Sequence, residues 1–298
     1  MSKLAVIGAG KWGEALFNAF SHVYSDVLIT SRTPRDIKGF VPLDEALKCE
    51  YLVISISTQE IASWLEKNFV NYGQKVLVAS KGIEASSGRF LNEIYSKYVD
   101  EKNLGFISGP SFASEVKMGL PTALVINSSS KEFYDEFSRF FPSFIKTYYS
   151  DDVIGSEIAG AYKNVLAIAS GICDGLKLGN NARASLISRG LVEMHRFGEY
   201  FGAKDDTFFG LSGAGDLFLS ASSTMSRNYR VGLGLAEGKN IEVIVQELGE
   251  VAEGVKTAEA IYKISSEKNI YTPIANEVKF IIEGKNPKQS LKDLLSRG

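Results

Sequence analysis

Residues 3–16 read Lys3-Leu4-Ala5-Val6-Ile7-Gly8-Ala9-Gly10-Lys11-Trp12-Gly13-Glu14-Ala15-Leu16. An apolar, β-favouring run closes on the spacing G-x-G-x-x-G, and a helix-like stretch follows without a break. That strand–turn–helix setting is the one in which this spacing binds dinucleotides. Gly8 allows the tight turn, Gly10 lets a pyrophosphate come close to the backbone, and Gly13 lets helix and strand pack together. The helix start offers N–H groups and a partial positive charge to phosphate oxygens. A ligand-free Gly-rich turn has the same letters, but a second strand-like run at 27–30 completes the nucleotide unit. That run ends Thr30-Ser31-Arg32-Thr33-Pro34-Arg35, with no acid before Asp36. NAD sites place an acid here to hold the ribose 2′-hydroxyl. Arg32, with Arg35 close by, instead suits a 2′-phosphate, so NADPH is the expected coenzyme and NADH the alternative.

Further Val/Ile/Leu runs follow at 52–56, 76–79, 105–108 and 123–126, and none alternates with polar residues. Strands covered on both faces read this way. Helix-like segments lie between them at 12–20, 59–68, 88–99 and 131–140. The alternation predicts an α/β fold, an N-terminal Rossmann-like domain with a parallel sheet over residues 1–150. After about residue 149 strand runs become scarce, and helical spacing dominates at 154–176, 182–201 and 241–266. An all-α substrate domain over 151–298 is expected, with a cleft between the two as the default place for chemistry.

Composition narrows the class. Lys plus Arg number 33 against 35 Asp plus Glu among 298 residues, a net charge of −2. This balance speaks against a nucleic-acid binder, which concentrates positive charge. No apolar run approaches the roughly 20 residues of a membrane span. Cys49 and Cys173 stand alone, with no metal-ligand cluster and no disulfide framework, so a reducing, cytoplasmic setting and no metal are expected.

Reducing a carbonyl requires a proton donor. His22 lies on the first crossover helix, and His195 reads as a structural residue in mid-helix. Tyr98/Lys102 and Tyr200/Lys204 match Tyr-x-x-x-Lys only by letter. Lysine and carboxylate candidates remain. In the stretch from Glu157 to Cys173, the residues Gly160, Asn164, Ala167 and Gly171 make one narrow stripe of small or polar side chains, with Lys163 beside it. Such a stripe admits another helix or a ligand, and Lys163 is either a snorkelling lysine or a catalytic one.

The whole set of motifs resembles the NAD(P)-dependent glycerol-3-phosphate dehydrogenases of the bacterial, NADPH-using type. The likeness runs almost end to end. It is carried by Gly8-Ala-Gly-Lys-Trp-Gly13, Ser80-Lys-Gly-Ile83, Ser108-Gly-Pro-Ser-Phe-Ala113 with Glu115-Val116, and Tyr162-Lys-Asn164. It continues through Gly179-Asn-Asn-Ala-Arg-Ala184, Ser188-Arg-Gly-Leu191, Leu211-Ser-Gly-Ala-Gly-Asp-Leu217, Ser226-Arg-Asn228 and Glu253-Gly-Val-Lys-Thr257. The resemblance implies reduction of dihydroxyacetone phosphate to sn-glycerol 3-phosphate, reversibly, for glycerophospholipid synthesis. It implies that Lys163 transfers the proton and that Lys81, Gly109, Ser111, Asn164, Asp216, Ser226, Arg227 and Asn228 meet the substrate. Coenzyme contacts implied beyond the three fingerprint glycines are Lys11, Trp12, Arg32, Lys81, Ala113, Arg227, Val251 and Glu253. A homodimer is compatible with this reading.

The implied roles make chemical sense. Arg227 can grip a phosphate in a bidentate fork, with Ser226 and Asn228 as polar company. Burial and the like charge of Lys81 are expected to bring Lys163 down from about 10.4 towards neutrality. Asp216 either offsets that positive charge, bonds a substrate hydroxyl, or caps the helix beginning at Leu217. The Gly213-Ala-Gly215 run reads as a turn. Three departures concern the coenzyme end: Lys11 where the family usually has Ser, Ser57 where a Pro is usual nearby, and a compressed segment from Arg32 to Tyr51. Other two-domain reductases, such as 6-phosphogluconate or β-hydroxyacid dehydrogenases, share the Lys-Asn pair but do not call for Ser226-Arg-Asn228 with Glu253-Gly-Val. A non-catalytic NADPH sensor is the rival from another class, and loss of Lys81 or Lys163 would have favoured it.

Overall fold

The structure, a computed structural model, describes residues 3–249 and 251–296. The chain divides into two compact units, one of residues 1–81 with 91–153 and one of residues 82–90 with 154–298. The second unit therefore takes a nine-residue strap out of the middle of the first. Ile83 and Phe90 of this strap are buried in the helical core, with Phe90 edge-on to Phe201 at 5.1 Å between ring centroids. The expected helix at 88–99 is consequently shorter. Gly88 has φ +73°, and only Leu91–Tyr95 is helical there.

The first unit holds strands β1 (Leu4–Ile7), β2 (Leu28–Thr30), β3 (Tyr51–Ile54), β4 (Lys75–Val78), β5 (Leu104–Ser108), β6 (Thr122–Asn127) and β7 (Ile145–Ser150). Its helices are α1 (Lys11–Ser21), α2 (Leu43–Ala46), α3 (Thr58–Asn68), α4 (Leu91–Tyr95), α5 (Ala113–Lys117) and α6 (Lys131–Phe137). The sheet order is β2-β1-β3-β4-β5-β6-β7, and β1 to β5 run parallel. The order reverses beside β1, where α/β folds bind nucleotides at the carboxyl ends of the strands.

β6 corrects the expectation of a fully parallel sheet, because it pairs antiparallel with β5, Ile107 opposite Ile126. The thirteen residues joining the two strands hold only the five-residue helix α5, not the sheet-length crossover helix of a parallel connection, and the chain turns back beside β5. β7 then pairs parallel with β6 at the sheet's end.

The second unit holds α7 (Val153–Gly175), α8 (Asn180–Tyr200), α9 (Asp205–Phe209), α10 (Asp216–Ala221), α11 (Arg227–Ala236), α12 (Ile241–Leu248), α13 (Glu253–Lys268), α14 (Pro273–Ile282) and α15 (Pro287–Ser296). The helical segment expected at 241–266 is two helices, broken where Gly249 takes φ +63°. α7 is central. Between Gly155 and Cys173 every residue is buried except Lys163. A helix enclosed on all sides belongs inside a core, and on this one Asn164 and Gly171 of the small-residue stripe meet α13 and α11. Gly171 and Gly232 let α7 and α11 touch by their backbones. A Cβ on Gly171 would lie 2.1 Å from the Tyr229 carbonyl oxygen, and one on Gly232 would lie 2.1 Å from that of Ile168.

Glu193 of α8 is buried beside α7 and supplies the N-terminus of α14 with a cap. Its carboxylate accepts from the Ile274 and Ala275 N–H groups and from the Tyr162 hydroxyl, each at 2.8 Å. Burial pushes the Glu193 carboxyl above its ordinary 4.5, and these three donors pull it down. The folded chain thus holds this proton more tightly than the unfolded one. Its contribution to stability is complete below about pH 4.5 and declines as pH rises towards the folded value. Glu193→Gln should remove that slope, so the variant's deficit in Tm should narrow from about pH 4.5 to 7.5. A deficit that widens with pH would show that the carboxylate is the favoured form.

Candidate active site

The expected residues gather into two groups, one in each unit. In the first unit they lie along the carboxyl ends of the parallel strands. Gly8 leaves β1 at φ +108°, and its N–H donates to the Thr30 carbonyl at 2.8 Å, joining the ends of β1 and β2. A Cβ on Gly8 would sit 2.3 Å from the Ser55 carbonyl oxygen, and one on Gly13 would sit 1.8 Å from that of Gly8. Packing alone accounts for these two glycines. Gly10 is different: its Cβ position has no atom within 4 Å. It leads into α1, whose first residues are Lys11 and Trp12. Nothing in the fold demands glycine at Gly10, which leaves a cradle that a ligand's backbone-hugging group can fill.

Arg32 lies two residues beyond β2 and is exposed, as is Arg35. The compressed segment behind them is tied down. The Ile29 N–H donates to the Gly39 carbonyl and the Val41 N–H to that of Ile29, both at 3.0 Å. The edge of β2 is covered by residues 39–41.

Lys81, Gly109 and Ser111 come together past β4 and β5. The Gly109 carbonyl accepts from Lys81 Nζ at 3.2 Å and from the Ser111 hydroxyl at 3.1 Å. Ala113 opens α5 just beyond.

In the second unit, Lys163 reaches a carboxylate and a hydroxyl. Its Nζ donates to Asp216 Oδ1 at 3.0 Å and to Ser220 Oγ at 2.8 Å, while Ser220 Oγ donates to Asp216 Oδ1 at 3.3 Å. The Lys163 side chain is 11% exposed and that of Asp216 3%. Lys163 is thus not a snorkelling residue, and Asp216 balances its charge. Ser220 went unnoticed in the sequence. Its signal was there, four residues after Asp216 on the same helical face.

The run Leu211–Gly215 is not an open turn. It forms a wide π-type helical turn that continues into α10, with the Gly215 N–H donating to the Gly210 carbonyl at 3.1 Å. Close packing requires this, since a Cβ on Gly213 would lie 2.2 Å from the Phe208 carbonyl oxygen. π-type turns occur often at functional sites. Here the turn presents Asp216 to α7.

Asn164 and Asn228 form a buried relay. Asn164 Nδ2 donates to the Gly160 carbonyl at 3.2 Å, and Asn228 Nδ2 donates to Asn164 Oδ1 at 2.9 Å. The Gly254 N–H donates to Asn228 Oδ1 at 3.0 Å. This pins α7, α11 and the start of α13 to one another. Ser226 caps α11, accepting from the Tyr229 N–H at 3.3 Å. Arg227 follows as the first helical residue and is exposed. Val251 is exposed, and Glu253 is the first residue of α13. Among the described residues no group of three or more His, Cys, Asp and Glu side chains could hold a metal ion, and no helix is long and apolar enough to cross a membrane.

Known glycerol-3-phosphate dehydrogenases match the chain over almost its whole length. Residues 22–134 match the family model for the NAD-dependent glycerol-3-phosphate dehydrogenase N-terminus, and residues 152–292 match that for its C-terminus. A glycerol-3-phosphate dehydrogenase [NAD(P)+] of Sulfurimonas denitrificans is 64% identical over 296 residues, covering 99% of this chain and 100% of the relative. One of Nitratiruptor is 59% identical over 295 residues, covering 99% and 98%. The crystal structure of glycerol-3-phosphate dehydrogenase from Coxiella burnetii superposes with a TM-score of 0.90 at 32% identity, covering 99% of this chain and 98% of that one.

The ion pair gives a direct check on the local energetics. Asp216→Ala takes away the carboxylate that the mostly buried Lys163 ammonium faces, a change worth about 3 kcal/mol when one partner of a buried pair is removed. Urea denaturation of the variant should show a loss of that order. A loss below about 0.5 kcal/mol would mean that the pair behaves as a solvated surface contact.

Proposed function

The chain belongs to the NAD-dependent glycerol-3-phosphate dehydrogenase family, and from that premise we propose that it reduces dihydroxyacetone phosphate to sn-glycerol 3-phosphate, reversibly, with Lys163 as the proton-transferring group. The observation that carries this reading is the buried constellation of Lys163, Asp216 and Ser220. The glycerol 3-phosphate formed would serve glycerophospholipid synthesis in the cytoplasm.

The coenzyme supplies the hydride. The first unit suits such a group, because Gly10 leaves open space at the start of α1. N–H groups there favour a pyrophosphate. Lys11 and Trp12 flank that position, and Arg32 would hold a 2′-phosphate. Lys81, fixed by the Gly109 carbonyl, would face substrate and coenzyme together with Ser111 and Ala113. Arg227, Val251 and Glu253 are the coenzyme contacts proposed from the second unit.

Ketone reduction builds negative charge on the carbonyl oxygen, which must be met by a proton. Asp216 and Ser220 fix two N–H directions of the Lys163 ammonium, so its donor geometry is set before the substrate arrives. The proton passes from Lys163 Nζ to the oxygen, leaving a neutral amine beside Asp216. In the reverse direction the amine takes the hydroxyl proton. The substrate's phosphate would be met by the Arg227 guanidinium and the first turn of α11, where the helix dipole favours a dianion. Ser226 caps that turn, and the Asn164–Asn228 relay holds it against α7. The spare amide hydrogens of both asparagines are available to substrate oxygens. No metal is assigned a part, and a homodimer is a compatible assembly.

Lys163→Ala should lower kcat by roughly a hundredfold or more, the scale of a lost general acid, with little effect on coenzyme binding. Steady-state kinetics and a fluorescence titration of NADPH check both halves. Near-normal turnover would remove Lys163 from the mechanism.

Arg32→Glu should selectively weaken NADPH by about tenfold, leave NADH nearly unchanged and flatten the salt dependence of NADPH binding. The measurement is the specificity constant for each coenzyme in parent and variant. A parent that favours NADH, or equal losses for both coenzymes, would overturn the Arg32 assignment.

A further inference from the structure

The motif Gly179-Asn180-Asn181-Ala182-Arg183-Ala184 carries no role in the chemistry above. In the fold it supplies one arm of a charged cluster. Asp174 Oδ2, in the last turn of α7, accepts from Arg183 Nη1 at 2.9 Å and from the Tyr229 hydroxyl at 2.5 Å. Arg183 Nη2 also donates to Asn180 Oδ1 at 3.3 Å.

Helix electrostatics does not explain this cluster. An acid near the C-terminus of α7 and a base near the N-terminus of α8 each oppose the dipole of their own helix. Each charge is placed where its partner, and not its helix, makes it favourable. The third member shows what the pair holds. Tyr229 is buried, and burial together with the Asp174 carboxylate pushes its hydroxyl up to about 12, so it stays a donor throughout the neutral range.

Tyr229 is the third residue of α11, two after Arg227. Its carbonyl lies against Gly171 of α7 and its hydroxyl bonds Asp174 of the same helix, so backbone and side chain are both held to α7. The Asn228–Asn164 bond ties the same turn to α7 ten residues before Asp174. Arg227 stands directly before these two tied residues, at the head of the same turn.

We propose that the Arg183–Asp174–Tyr229 cluster positions the first turn of α11 and thereby sets how tightly Arg227 holds the substrate's phosphate. The three are positioning residues, and the proposal rests on the reading of Arg227 as the phosphate ligand. The Tyr229 hydroxyl acts through the aim of the guanidinium. Its loss should therefore be felt by phosphorylated substrates and not by the proton transfer at Lys163.

The test compares dihydroxyacetone phosphate with unphosphorylated dihydroxyacetone in the full-length enzyme, using Tyr229→Phe, Arg227→Ala and the double variant. Tyr229→Phe keeps the ring and removes only the hydroxyl. It should raise KM for dihydroxyacetone phosphate roughly three- to tenfold, with kcat within about twofold and dihydroxyacetone unaffected. Arg227→Ala should by itself abolish most of the preference for the phosphorylated ketone. Adding Tyr229→Phe to it should change nothing further, the signature of two residues acting as one unit. Asp174→Asn should move KM in the same direction as Tyr229→Phe. Equal losses for both ketones, additive effects in the double variant, or an unchanged KM would overturn the proposal. If Arg227→Ala keeps the full preference, the phosphate reading of Arg227 fails on its own arm, and the positioning proposal falls with it.

Discussion

An ammonium group inside a helical core needs an opposite charge, and the helical unit is organised around meeting that need at Lys163. α7 is buried along its length, so it could have been a wholly apolar rod. Instead Lys163 interrupts it, and Asp216 arrives from α10 on a π-type turn to face the charge. Breaking such a pair costs far more than the pair itself contributes to stability. The arrangement is therefore a poor strut, and it accords with the proton-transferring role proposed for Lys163.

Close backbone approach is the second constraint, and it works alike in both units. In the first, Gly8 and Gly13 let β1, α1 and the end of β3 meet with almost no space between them. In the second, Gly171 and Gly232 do the same for α7 and α11. In each case the contact sets the start of a helix beside a position read as a phosphate site. Rigid glycine contacts fix the backbone, and longer polar side chains then meet the ligand. Gly10 stands apart because its openness answers to no neighbour in the protein.

Much of this was legible in the sequence, and what was missed has physical causes. The fingerprint, the first five strands and the long helix around Lys163 follow from local patterns of apolar residues. β7 escaped because a search for continuous apolar runs passes over Ile145-Lys146-Thr147-Tyr148, which alternates between buried and exposed residues as an edge strand does. The direction of β6 depended on the length of α5, which the letters do not reveal. Phe90 falls in a helix-like segment and Ile83 in a motif, yet both serve another core, a tertiary choice invisible to local pattern. Of the candidate site, Lys163 and Asp216 lie 53 residues apart, and among the three roles open to Asp216 the fold selects the one that offsets the lysine's charge. Ser220 was hidden by its ordinariness, and the asparagines read as ligand contacts are also the ties between three helices.

The strap at 82–90 has a consequence for how the molecule can be taken apart. Two units linked by one crossing could be separated by a single cut in the gene, each fragment keeping its own core. Here the chain passes between them three times. A fragment ending at residue 150 would carry Ile83 and Phe90 with no helical core to receive them, while one beginning at 151 would lack those two side chains from its interior. Neither half is a self-sufficient module. Recombination, domain swapping between relatives and fragment expression must therefore respect a discontinuous boundary, one that runs through the middle of the nucleotide unit rather than along the end of its sheet.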